Sequence, residues 1–204
     1  MALGGTPGGG TAHAATITVE IKDSDGKPVA GAVVSLASDE VKAPAPGPSQ
    51  TIDQKNETFV PDMLVVPMGG AVVFRNSDLP RHQIYSFSPA KRFERELSPG
   101  QQSEPVVFDK AGIVALGCNI HDHMVAYLFV AASPHVARTG ADGKAVLANV
   151  PDGAYKLQGW HPRLKPSPSV VPEKPVTVAG DGGFDMQLTL SAPKAGRDPE
   201  RSSY

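Results

Sequence analysis

Glycine and proline interrupt this chain so often that they leave little room for helices. With 21 Gly and 20 Pro in 204 residues, apolar side chains fall into short Val/Ile/Leu/Phe runs between turn formers, and stripes with a helical period are hard to find. That pattern predicts an all-β chain. Ile17, Val19 and Ile21 alternate, the chain turns at Asp25-Gly26, and Val33, Val34 and Leu36 resume, which reads as two strands around a turn. Further strands are expected at 63–66, 71–74, 106–108, 112–117 and 125–131, and short strands at this spacing suggest a Greek-key sandwich. The Pro-rich run 39–50 reads as a surface connector, and 91–102 as room for a short helical turn that Pro99-Gly100 stops.

Charge and hydropathy exclude some roles. The formal net charge of -2 supplies no basic field for nucleic acid or an anionic membrane. No apolar stretch approaches the ~18–20 residues that a membrane-crossing helix needs. The opening "MALGGTPGGGTAHAATITVEI" is Gly-rich, and Ala12-His13-Ala14 resembles the small-x-small end of an export signal without its apolar centre. No paired carboxylates, phosphate loop or nucleophile motif stands out, so no enzyme is expected.

The chemistry concentrates in "LGCNIHDHM". Cys118, the single cysteine, follows the apolar run "GIVALG" and precedes "MVAYLFVAA", so the residues between lie on a tight connection of two strand ends. Cys118, His121 and Met124 form Cys-x-x-His-x-x-Met and offer a thiolate, an imidazole and a thioether to one point. One more histidine would complete the two-imidazole, one-thiolate set with a weak axial thioether that characterises blue copper. His82, after a strand and an Asn-Ser-Asp turn, is the candidate. Other readings stand beside this one: Cys118 as buried filler, Met124 as a core residue, and zinc as the metal, although zinc sites ordinarily show paired Cys or His spacings and no methionine. His123 either points to solvent, replaces Met124 or binds a second metal. His161 in "GWHPRL" reads as a turn histidine packed beside Trp160, and His13 and His135 have no ligand-like company.

"VPMGGAVVFRNSDLPRHQIYSF" and "FDKAGIVALGCNIHDHM" carry a family resemblance: residues 52–132 resemble a cupredoxin, with a ligand-loop spacing similar to that of the amicyanins. "IDQKNETFVPDMLVVPMGG", "RHQIYSFSPAKRFE" and "WHPRL" are similar to periplasmic cupredoxin-domain proteins labelled methylamine utilization proteins, a likeness covering roughly 15–190. "DSDGKPVAGAVVSLAS" and "TGADGKAVLANVPDGAYKLQGWHPRL" resemble the two halves of a carboxypeptidase-regulatory-like, transthyretin-like module.

The resemblance implies an all-β fold in which a Greek-key cupredoxin β-sandwich is inserted in, or packed beside, a small transthyretin-like β-sandwich. The implied organisation is a flexible leader or export-signal remnant over 1–14, a transthyretin-like unit split between 15–45 and 133–191, a cupredoxin unit over 50–132 and a disordered tail over 192–204. It implies one copper ion on His82, Cys118 and His121 with Met124 axial, and His121 as the exit for electrons through an apolar patch of Ile120, Met124 and Val125 rimmed by Arg81 and Asp122. Gln83 departs from the family pattern, standing where an asparagine often ties the ligand loops together. The expectation is a periplasmic carrier of single electrons, exported across the inner membrane of a Gram-negative bacterium and docking transiently with redox partner proteins. A copper-binding or delivery protein using the same ligands is the alternative.

Overall fold

The computed structural model describes residues 14–41 and 43–193. The expected leader up to residue 13, His13 with it, and the expected tail from residue 194 lie outside the described residues. Among the described residues there is no helix; sixteen strands, numbered along the chain, form four sheets.

Both ends of the chain build two of these sheets. β1 (Ala14–Asp23) lies between β13 (Lys144–Pro151) and β16 (Gly182–Leu188), antiparallel to the first and parallel to the second. The other sheet runs β12 (Val136–Arg138), β2 (Val33–Ala37), β14 (Gly153–Trp160), β15 (Glu173–Val178). The turn at Asp25-Gly26 forms as the sequence predicts, with Asp23 Oδ1 accepting the Asp25 and Lys27 N–H groups at 2.9 Å each and Gly26 at φ +79°. The strands on either side do not pair as a hairpin, however: β1 and β2 belong to different sheets.

The middle of the chain supplies the remaining two. One runs β5 (Met63–Pro67), β11 (Val125–Ala131), β10 (Gly112–Gly117), β7 (His82–Ser88), β8 (Lys91–Leu97); the other runs β4 (Phe59–Val60), β3 (Gln50–Gln54), β6 (Gly70–Asn76), β9 (Val106–Phe108). Residues 91–97 are therefore a strand and not a helical turn. β8 closes the edge of its sheet, paired with β7 along its length, and its charged side chains suit an edge that must resist pairing with another chain.

Two hydrophobic cores result, and they share a wall. Side chains alternate across a strand, and β11 is apolar on both faces: Ala126, Leu128 and Val130 enter the core of the central strands, whereas Phe129 and Ala131 enter the core of the terminal ones. On β10, Val114 and Leu116 face one core and Ile113 the other. Trp160, fully buried, meets the wall from the outer side, its ring 5.6 Å from that of Tyr127 and 6.2 Å from that of Phe129. A strand buried on both faces reads as a continuous apolar run, which is the character of "VAYLFVA".

Pairing fixes what gathers at one end of the central strands. Gly117, the last residue of β10, pairs with Val125, the first of β11, and with Tyr85 of β7. Gln54 and Asn76 end the parallel pair β3 and β6 side by side. The segments 55–58, 77–81 and 118–124 consequently leave the sheets at a common end.

Candidate metal centre

His82 is the first residue of β7 and is fully buried; Cys118 follows β10 and is 2% exposed. They are 36 positions apart in sequence, yet Cys118 Sγ lies 3.7 Å from His82 Nδ1. His121 completes the group, its ring centroid 5.0 Å from that of His82. One donor atom from each of His82, Cys118 and His121 lies within 4.8 Å of the other two. Among the described residues, this is the one group of three or more His, Cys, Asp or Glu side chains that brings metal-binding atoms so close.

The two histidines are held differently. His82 Nε2 lies 2.9 Å from Asp78 Oδ2, and Asp78 accepts N–H groups from Asn56 at 2.5 Å and from Glu57 at 2.9 Å. Burial alone would raise the Asp78 carboxyl; the Glu57 N–H, the His82 ring and the Asn56 N–H outweigh it and hold the group below its ordinary value. His121 Nε2 lies 3.6 Å from Glu57 Oε1. Its Nδ1 is buried and has no hydrogen-bond partner.

An unpartnered buried nitrogen is costly, and a metal ion in contact with it removes the cost. A thiolate sulfur with two imidazole nitrogens is a soft, nitrogen-rich set that fits copper. Zinc ordinarily takes four strong ligands, and among the described residues no fourth Cys, His, Asp or Glu joins this group.

Met124 is 2% exposed and packs in the same core as Cys118; its N–H donates to His121 O at 3.0 Å. It is therefore not part of an exposed apolar patch, and Val125 is only partly exposed. The exposed apolar side chains of the two loops are Ile120 at 52% and Leu79 at 90%. His123 stays outside the donor group: its side chain is 63% exposed and its Nε2 lies 3.6 Å from Glu57 Oε2. Arg81 is exposed and paired with Glu96 at 3.0 Å.

Gln83 turns away from the ligand loop and bonds Glu94 on β8. Asn76 ties the His82 loop instead. Fully buried, it donates to Pro80 O at 2.9 Å and Leu97 O at 3.0 Å and accepts the Asp78 N–H at 2.9 Å. Asp78, Glu57 and Asn76 are what the sequence reading missed. The spacing of Asp78 four residues before His82 was the one available signal. The other histidines lie elsewhere: His135 is buried against Tyr155, and His161 Nδ1 accepts the Arg163 N–H at 3.1 Å.

Among solved structures, the chain is similar to the copper-containing nitrite reductase (NirK) from Thermus scotoductus SA-01, with 24% identity and a TM-score of 0.39 over 47% of this chain and 25% of that one. It is also similar to a purple cupredoxin from Nitrosopumilus maritimus, at 23% identity and a TM-score of 0.36 over 41% of this chain and 100% of that one. A third is amicyanin from Paracoccus versutus, at 14% and 0.38 over 48% of this chain and 97% of that one. The chain thus spans a quarter of the nitrite reductase. No protein-family model matches the sequence, and no curated protein matches it.

Proposed function

We propose that the protein carries single electrons on one copper ion held by His82, Cys118 and His121, with Met124 as a weak fourth donor. The observation that carries this reading is the group itself: a thiol and two imidazoles within 4.8 Å, with one ring nitrogen buried and unpartnered. Copper, when bound to such a set, supplies a one-electron couple between Cu(II) and Cu(I).

The chain's own residues favour transfer over bond-making. Cys118 and His82 are buried to 2% and 0% exposure, so they exclude water and give a substrate no approach. His121 spans the boundary: one ring nitrogen is buried, while the side chain as a whole is 19% exposed, which makes it the route between the interior and a docked partner. Ile120 beside it, and Leu79 in the loop leading to His82, offer apolar surface for brief contact with a redox protein. We place this activity in the periplasm, on the strength of the sequence resemblance. The strands from the two ends of the chain we read as one transthyretin-like unit with the copper-binding unit inserted into it.

Adding Cu(II) to the purified protein tests the reading. Intense visible thiolate-to-copper absorption and a reversible one-electron couple are expected, both abolished in Cys118→Ala. A colourless Cu(II) complex refutes it.

A further inference from the structure

Asp78 has no role in a plain inventory of donors, yet its carboxylate is where three parts of the site meet. The side chain is 11% exposed and is fixed from every side. Asn76 Oδ1 holds its N–H, the Asn56 and Glu57 N–H groups bind its oxygens, and His82 Nε2 lies 2.9 Å from Oδ2. Asn56 and Glu57 sit at φ +53° and +52°, a left-handed conformation that is unfavourable for non-glycine residues, and Asp78 stabilises it by accepting both N–H groups. The turn so formed presents the Glu57 carboxylate to His121 and His123.

An ionised carboxylate is an acceptor only. Facing His82 Nε2, it obliges that nitrogen to carry the ring proton and leaves the lone pair on Nδ1, the atom 3.7 Å from Cys118 Sγ. We propose that Asp78 is the positioning residue of this centre: it sets the His82 tautomer and places a fixed negative charge behind that ligand, favouring the more highly charged oxidation state of the metal. The inference rests on the copper reading above for its redox part and on the protein alone for its tautomer part. A carboxylate partner makes a ligating imidazole more basic, and losing such a partner typically costs 10–100-fold in metal affinity.

Asp78→Asn keeps the shape and an acceptor oxygen but removes the charge; Asp78→Ala removes both. With an electrode supplying the electron that converts bound Cu(II) to Cu(I), Asp78→Asn is expected to weaken Cu(II) binding about tenfold and leave Cu(I) binding unchanged. A tenfold change for one electron raises the reduction potential by about 59 mV. An unchanged potential together with unchanged Cu(II) affinity overturns the proposal, even if the melting temperature of the metal-free variant falls, because that pattern describes a bracing role only. The metal-free protein gives the independent arm. Nitrogen-15 spectra of the histidine rings are expected to show His82 protonated at Nε2 in the parent and mixed between its two nitrogens in Asp78→Ala. A parent protonated at Nδ1 overturns the assignment of Asp78 whether or not copper binds, whereas failure of the copper reading alone leaves this arm intact.

Discussion

Phe129→Ala tests whether the wall between the two cores makes the molecule a single cooperative unit. Phe129 is 3% exposed on the face of β11 that looks toward Trp160, and truncating a buried phenylalanine typically costs about 3–5 kcal/mol. With a urea dependence of about 2 kcal/mol per molar for a chain of this size, the unfolding midpoint falls by about 1.5–2.5 M. Two built-in probes report the two cores. Trp160, the single tryptophan, sits in the outer core and gives its fluorescence. Cys118, the single cysteine, lies in the inner core and gives its reactivity toward a thiol reagent, without any metal. Because Phe129 shares its strand with Leu128 and Val130 of the inner core, loss of the outer packing is expected to carry the inner core with it, so the two midpoints fall together. A variant in which the fluorescence midpoint drops while thiol protection keeps its parental midpoint refutes the shared-wall argument.

Gly117→Ala sets a new methyl group 2.7 Å from Tyr85 Cζ and 2.8 Å from its Oη; calorimetry is expected to find a loss of about 1–3 kcal/mol, the usual cost of overpacking, with perturbed absorption of the copper-loaded protein because Cys118 is the next residue. A melting temperature equal to the parent's counts against it. His161 is held at about 4, below its ordinary 6.5, by burial first and then by Arg163 and Arg138. The folded state therefore binds fewer protons than the unfolded state between these values, and stability is full above pH 6.5 and falls as the pH drops toward 4, by up to roughly 3 kcal/mol. Chemical denaturation across that window should show the slope in the parent and a flatter profile in His161→Asn.

The strands of the interior were legible because their apolar runs are bounded by turn formers; 106–108, 112–117 and 125–131 are strands over those residues. Residues 91–97 misled because β8 turns few apolar side chains inward, chiefly Phe93 and Leu97, and an edge strand dressed in charge dilutes the period-2 signal. Which core each residue of β11 serves was hidden for the opposite reason, since a run that is apolar throughout has no alternation to read. The proximity of Cys118 and His121 follows from their spacing, and the Asn-Ser-Asp turn pointed to His82. The exposed patch was misplaced because Met124 packs inward while Leu79, from a different loop, stands out. Glu57 was out of reach, because its place beside His121 depends on a left-handed turn that one remote carboxylate holds.

The parallel pairing of β1 with β16 has a consequence for biogenesis. Ile17 finds one neighbour at Leu147 and the other at Gly182, so the β1 strand, once emerged from the ribosome or a translocation pore, has both flanks bare until β13 is made and one flank bare until β16 follows. The interior strands, whose partners lie closer along the chain, are free to condense first, and β1 closes over them only once β13 and β16 have been made. A chain ending before residue 182 is thus expected to keep a sticky, unclosed edge, prone to intermolecular pairing even where its interior is intact.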